Sequence, residues 1–376
     1  MMASGGGAII ANLIGQNKRS DACEKLTTLY MAGLFITFIL ITNVLIGFDP
    51  LLKLLGTTDE LYPYASSYLR IMMFFAPMMM LQIFTQTFMV AEGKPMHGLL
   101  LSLLSGIINI ILDFVFMGQM NMGIAGAALA TGIGMTLTAL YGLAYFSFGR
   151  KNILKFKKPH LNMGFLLKAM GNGSSEMVNN LSIAFTTFLF NVTMVRLLGN
   201  EGVVAITIIL YVQFIQMAIY FGFSQGISPI ISYKYGANLR DELKKIIGMG
   251  MAFIGISSLF VIFMSYLLLD SIIGFFVPYG SDVFFLTREG FLIFLSAYVF
   301  MGFNVFISAV FTALGNGKVS AWLSFLRTFG LLVGCLLILP HFLGVLGVWL
   351  AVPLAEAVSS LFSFLSYRNG KERYGY

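Results

Sequence analysis

The sequence predicts an all-α, polytopic membrane helical bundle, and three observations carry that prediction. Apolar residues make up 58% of the 376-residue chain, charged residues only 10%, and the mean hydropathy is +0.87. A soluble chain carries about 25% charged residues, so 23 Lys+Arg and 16 Asp+Glu are too few to solvate a water-facing surface. Apolar runs recur at the length of about 20 residues that a helix needs to cross the hydrocarbon, and the short alternating segments of a membrane barrel are missing. A disordered chain, a soluble secreted form and a cytosolic metabolic enzyme are excluded together.

Read between polar and Gly/Pro punctuation, the spans fall at 26–48, 62–91, 98–118, 123–148, 164–195, 203–232, 246–269, 289–314, 319–340 and 343–367. The earlier run from Met2 to Ile14 rises only about 20 Å at 1.5 Å per residue, so it makes a partial span. Alternating the ten spans sorts the loops into two sets. One set holds eighteen Lys and Arg, among them Lys18, Arg19, Lys94, Arg150, Lys157, Lys158, Lys244, Lys318 and Arg373; the other holds Lys53, Arg196 and Arg288. The basic set is cytoplasmic, which puts the C-terminus in the cytoplasm, and the net charge of +7 is an orientation signal that calls for no nucleic-acid partner. Cys23 and Cys335 lie far apart, and His97, His160 and His341 sit on separate loops, so no metal site is expected and the cysteines read as packing residues.

An internal repeat organises the chain. Gly15 and Arg19 pair with Gly236 and Arg240 at an offset of 221, and the same offset sets Gly123, Gly126, Leu129 and Ala130 against Gly344, Gly347, Leu350 and Ala351. Between these anchors, Gly93-Lys94 faces Gly317-Lys318 at an offset of 224. An even number of spans separates equivalent points, so the halves are parallel repeats, and such halves usually enclose a cavity. The expected domains are an N-terminal lobe at 1–150, a cytoplasmic linker at 151–163, a C-terminal lobe at 164–368 and a cytoplasmic tail at 369–376. Residue 1 aligns with residue 222, so the first half is expected to lack a counterpart to 165–221. The chain therefore reads as an N-terminally shortened form of a six-plus-six transporter, with about ten complete spans and a partial one.

Several segments resemble the multidrug and toxic compound extrusion (MATE) family. GFSQGISPIISYKYGANLRDELKK from Gly222 to Lys245 is similar to that family's eighth helix and following loop, and SGGGAIIANLIGQNKRSDACEK from Ser4 to Lys25 resembles the equivalent second-helix loop. VAEGKPMHGLLLSLLSGIINIILDFVFM with MGIAGAALAT, and NVFISAVFTALGNGKVSAW, resemble its fourth-to-sixth and tenth-to-eleventh helix regions. The resemblance implies two six-helix lobes around a cavity and export of organic cations or other toxic amphiphiles, driven by inward Na⁺ or H⁺. Two departures stand out: the first helix, where several branches carry an aspartate, is absent, and the span 289–314 has no acid beyond Glu289.

Ionisable groups within a span are costly unless paired or facing water, which makes the few that remain the functional candidates. Glu176 and Glu356, with Arg327 and nearby Asn180, fall at a shared depth of about 12 to 18 Å in the second half. They read either as a structural ion pair or as a cation-coupling centre in which one carboxylate takes up H⁺ or Na⁺ while Arg327 holds the other. Glu176 is favoured as the coupling acid, because Gly171, Gly173 and Ser174 weaken the helix before it. Asp113 is a further coupling candidate or a solvated helix-end acid. Asn109, Tyr211, Gln213, Gln216, Asn304 and Ser308 are substrate-cavity candidates, each equally readable as interhelical glue. Gly126, Ala130 and Gly134 read as a packing stripe, and Pro77, Pro229 and Pro353 as kinks.

The sequence thus predicts a multi-pass plasma-membrane multidrug exporter with Na⁺ or H⁺ as coupling ion, no other cofactor, and no obligatory protein partner. The partners expected are the lipid bilayer and small organic cations or amphiphiles. A lipid-linked saccharide flippase and a non-transporting truncated fragment are the alternatives. An intramembrane enzyme is not, since no His/Glu metal motif, Ser/Lys dyad or paired intramembrane aspartates occur in the spans.

Overall fold

The computed structural model describes residues 1–54, 57–149 and 151–376; Arg150, counted above with the cytoplasmic charges, lies outside the described residues. Among the described residues the regular structure is helical throughout. In chain order the helices are α1 (Met2–Gly15), α2 (Arg19–Ile46), α3 (Phe48–Leu54), α4 (Tyr62–Ala91), α5 (Pro95–Asp113), α6 (Gly123–Phe148), α7 (Met163–Asn172) and α8 (Ser174–Gly236). They continue as α9 (Arg240–Leu267), α10 (Leu269–Phe276), α11 (Asp282–Leu295), α12 (Tyr298–Ala313), α13 (Gly317–Phe325), α14 (Val333–Leu343) and α15 (Val345–Tyr374). Two π-helical stretches, Phe114–Gln119 and Leu326–Leu332, follow α5 and α13 without a break.

Among the described residues, eight helical stretches are long and apolar enough to cross a membrane, and α11 with α12, bent by 49°, make a ninth when the pair is counted as one broken span. A straight α8 of 63 residues would reach about 95 Å, three times the hydrocarbon thickness. It breaks at Gly199, whose φ of 63° and ψ of −145° turn the chain back, so α8 supplies two spans and the ten read from sequence are all present. The span expected at 289–314 begins earlier, at Asp282, and is not straight. Neither Pro nor Gly sits at its bend. Ser296 and Ala297 instead take short-range bonds to Ile293 and Phe294 at 3.2 and 3.0 Å, and the Ser296 hydroxyl back-bonds to the Ile293 carbonyl at 2.7 Å, which tightens and turns the helix there.

The chain divides into two compact units. The N-terminal unit, Gln16–Leu167, holds α2 to α6. Its α6 packs through small residues: a Cβ on Gly132 would lie 2.1 Å from the Phe75 ring, and one on Gly142 would lie 1.9 Å from Thr85 Oγ1. Gly134 sits against the Ser105 carbonyl and Gly126 against Phe116, so the small-residue stripe is a packing surface. After α6 an extended strap runs along the unit. Ile153 N–H donates to the buried Glu92 carboxylate at 2.8 Å, Lys155 N–H to Cys23 Sγ at 3.4 Å, and Lys157 N–H to Thr27 Oγ1 at 3.0 Å. Lys94 lies 3.7 Å from Glu92 and hydrogen-bonds Tyr145, and that hydrogen bond, aided by Glu92, raises the Lys94 ammonium above its ordinary pKa.

The C-terminal unit comprises Lys168–Tyr376 together with Ala3–Gly15. The sequence reading assigned residues 1–150 to one lobe, whereas α1 packs with the C-terminal elements. A Cβ on Gly5 would fall 2.0 Å from the Ala169 carbonyl oxygen, and one on Gly15 would fall 2.2 Å from that of Tyr233. Backbone approach this close is open only to glycine. Gly236 makes the reciprocal approach to the Asn12 carbonyl, at 2.2 Å, and the offset of 221 that relates Gly15 to Gly236 also relates Asn12 to Tyr233. The segment expected as a tail continues α15 as far as Tyr374.

The repeat is written into the backbone as well. Asn17 and Asn238, at the offset of 221, are left-handed with φ of 60° and 57°, and Gly123 and Gly344 share φ of 55° and 56°. One pairing needs correcting. The left-handed glycine before α13 is Gly315, φ 79°, which matches Gly93, φ 87°; Gly317 already begins a helix. The true offset there is 222, because the turn geometry sets the register while a shared Gly-Lys dipeptide does not.

Candidate functional site

Two polar centres lie side by side in the C-terminal unit. The first surrounds Glu176. Helix α7 ends at Asn172 and α8 restarts at Ser174, so Glu176 occupies a first helical turn, where the unpaired amide N–H groups favour an anion. Its carboxylate accepts from Gln225 and lies 3.3 Å from the Met1 amine. It borders a small cavity of ≈ 40 Å³, with Ser175, Asn179, Ser228, Ser308 and Thr312 among the lining residues. A space of that size admits one or two waters, or a small cation that exchanges its hydration shell for the lining oxygens.

The second centre is built on Glu356 of α15, 7% exposed, and Arg327, 6% exposed, which the π-helical stretch carries. Arg327 Nε stands 3.9 Å from Glu356 Oε1, an ion pair without a short hydrogen bond. Asn304 Nδ2 donates to Glu356 Oε2 at 2.7 Å and to the Glu356 carbonyl at 3.0 Å, while Ser360 Oγ donates to Asn304 Oδ1 at 3.2 Å. On its other side Arg327 Nη2 donates to Asn179 Oδ1 at 3.2 Å, and Nη1 is buried without a partner. Asn179 therefore touches both centres, bonded to Arg327 and bordering the Glu176 cavity.

The expected single cluster is thus two centres joined by Asn179, and Asn180 is not part of either. Asn180 is exposed, because one residue along a helix turns a side chain by about 100°. The burial of Ser175 and Ser182, one turn to either side of Asn179, marks the inward face, and that spacing was the available signal in the sequence. Ser308 bonds Ser320 Oγ at 2.9 Å and Ser324 Oγ at 3.0 Å, tying α12 to α13. Gln216 donates to Tyr220 Oη at 2.9 Å. Tyr211 and Gln213 border a separate, larger chamber. In the N-terminal unit, Asn109 donates to Thr131 Oγ1 at 3.2 Å, and Asp113, half-buried, keeps one carboxylate oxygen unpartnered. Among the described residues, no His, Cys, Asp and Glu side chains gather into a metal-binding group.

Three kinds of likeness bear on this arrangement. The MatE family model matches residues 1–115 and 177–336. The chain is 24% identical over 365 residues to the multidrug export protein MepA of Staphylococcus aureus, covering 96% of this chain and 79% of that protein. It is 27% identical over 373 residues to the probable multidrug resistance protein YoeA of Bacillus subtilis, covering 95% and 80%. Among solved structures, an outward-facing multidrug resistance MATE family transporter of the MOP superfamily superposes with a TM-score of 0.92 at 21% identity, over 99% of this chain and 84% of that one. The Vibrio cholerae MATE transporter VcmN in the bent form gives 0.86 at 20% identity, over 99% and 84%. Likeness at that identity carries the fold.

Proposed function

The chain belongs to the MatE family, and on that premise we propose that it is a multidrug exporter of the plasma membrane with its C-terminus in the cytoplasm. It moves organic cations or other toxic amphiphiles outward by alternating access, in exchange for inward Na⁺ or H⁺. The printed names of MepA and YoeA support the export of drugs. One observation supports the coupling: Glu176 borders a small cavity whose lining sets hydroxyl and amide groups beside Phe221, Val305 and Ala309, so a cation meets a carboxylate and neutral oxygens there and nothing basic beyond the Met1 amine. A hard monovalent ion suits such an oxygen set, and a proton suits the carboxylate alone. Glu356 is the held partner in this reading, since it is buried against a fixed guanidinium, Arg327, and an amide donor, Asn304, whereas Glu176 borders the cavity.

A lipid-linked saccharide flippase calls for basic groups around its cavity. Arg327 is the one buried arginine among the described residues, and Glu356 neutralises it. The exporter reading is tested by ethidium transport in reconstituted vesicles under an imposed Na⁺ or H⁺ gradient. Glu176→Gln keeps the side-chain shape and is expected to abolish gradient-driven export while inserting normally. Full export by that variant would return Glu176 to a structural role, and no export by the wild type under either gradient would end the reading.

A further inference from the structure

The strap after α6 brings a group of lysines to the first turns of α2, at the level where two spans begin. Leu154 is fully buried, and the Phe156 ring packs 5.0 Å from Tyr30 and 5.8 Å from Phe146, so alternation along the extended chain turns Lys155 and Lys157 outward. Lys157 Nζ donates to Ser20 Oγ at 3.1 Å, next to Lys18 and Arg19, and Thr28 Oγ1 donates to the His160 carbonyl at 3.2 Å. Lys25 Nζ, one residue before the span read at 26–48, stands 4.7 Å from the centre of the Phe165 ring. Among the described residues Lys18, Arg19, Lys25, Lys157 and Lys158 form no ion pair. Asp21 and Glu24 are the acids of the same stretch, and the basic residues outnumber them.

Lysines alone would suit any anion, and the residues that follow narrow the class. Leu161, Met163 and Leu167 are 72%, 68% and 61% exposed, whereas Phe165 and Leu166 are buried. The apolar surface at the start of α7 is thus wider than the face its packing uses. Such side chains are costly to hold in water and settle among acyl chains, so a surface that sets them beside unpaired lysines matches a charged headgroup layer over hydrocarbon. A soluble phosphate would use the lysines and leave the apolar side chains wet.

We propose that this surface docks anionic phospholipids of the cytoplasmic leaflet. Lys157, Lys158, Lys18 and Arg19 meet the phosphates, and Leu161, Met163 and Leu167 lie against the acyl chains. Basic residues just outside a span attract anionic lipid, each contributing about fivefold in affinity near the surface. The choice of leaflet rests on the orientation proposed above; the binding itself does not.

The test is native mass spectrometry of the purified full chain in detergent, titrated with phosphatidylglycerol or with phosphatidylcholine of the same acyl chains. Phosphatidylglycerol should bind more tightly by about tenfold or more, and equal affinities would overturn the proposal. Lys157→Gln with Lys158→Gln is expected to weaken phosphatidylglycerol by about fivefold for each charge removed. Lys244→Gln with Lys245→Gln removes two exposed lysines of α9 and should leave the affinity unchanged. An equal loss from both pairs would mean adsorption to any basic loop and would overturn the site. Leu161→Ser with Met163→Ser should weaken phosphatidylglycerol several-fold, and no change would overturn the apolar half of the surface. Displacement of the lipid by an equal concentration of glycerol phosphate would assign the lysines to a soluble anion and overturn the lipid. Should the Lys157 and Lys158 variant not yield monodisperse protein, Lys18→Gln with Arg19→Gln removes two charges of the same surface, with the same loss expected. A reporter fused after Lys158 that reads external would overturn the leaflet together with the exporter's direction, and the measured affinities would still decide the site.

Discussion

Glu356 shows how little room a buried charge leaves for substitution. Its neighbours supply one amide hydrogen bond from Asn304 and one long ion pair from Arg327. Replacing Arg327 by Met strips the counter-charge while the carboxylate stays buried, at a cost of about 3–5 kcal/mol. Thermal unfolding of the purified protein should show a transition lower by several degrees, and adding Glu356→Gln to Arg327→Met should restore much of the loss. An unchanged transition in the single variant would mean that the pair does not stabilise the fold. Glu356→Gln alone should be milder than Glu176→Gln in the transport assay, because the new amide still accepts from Asn304 and Arg327 keeps its bond to Asn179. Reading residue types at a shared depth was enough to bring Glu356 and Arg327 together. It did not separate Asn179 from Asn180, because one step of helix phase lies below what depth along a span can resolve.

Helices in this chain approach one another where glycine lets backbone meet backbone. Gly236→Ala places a methyl 2.2 Å from the Asn12 carbonyl, so α1 has to move, and overpacking of this kind costs about 1–3 kcal/mol. Gly226, on the same helix with open space at its Cβ position, serves as the control: Gly226→Ala should hold or raise the unfolding temperature that Gly236→Ala lowers. Equal effects from both would remove the close approach as the cause. The strap after α6 depends on Glu92 in a comparable way. Glu92→Leu removes the acceptor of the Ile153 N–H, and trypsin should then cut after Lys155 or Lys157 several-fold faster, as read by limited proteolysis and mass spectrometry. An unaltered cutting rate would show that the remaining bonds to Cys23 and Thr27 hold the strap alone.

For the molecule as a whole, the charge asymmetry of the loops and the ten spans make one prediction about direction. Reporter fusions after Lys158 and after Tyr376 should both read cytoplasmic, and a fusion after Pro278 should read external. An external C-terminus would overturn the orientation and with it the direction assigned to transport. The strap that carries Lys155, Lys157 and Lys158 along the N-terminal unit belongs with the cytoplasmic set in this scheme, as do Lys234 at the end of α8 and its ion-pair partner Glu242 in the first turn of α9.

Apolar run length, loop charge and the spaced glycines were sufficient by themselves for the bundle, its ten spans and its repeat, because each of these is a local or periodic property that the chain carries without folding. The left-handed Asn17 and Asn238, and Gly123 and Gly344, make the same point at single residues: a shared turn is written in the same residue type at the same spacing. Only the tertiary structure decided the rest. It moved α1 to the C-terminal elements through glycine contacts with α7 and α8, put the bend of α11 and α12 at Ser296 where no Pro or Gly announces it, and chose Asn179 over Asn180. It also brought Lys157 and Ser20, 137 residues apart, into one hydrogen bond by laying the strap along α2. Each of these depends on which helix face meets which neighbour, and that is settled by packing between distant segments, which no window along the sequence contains.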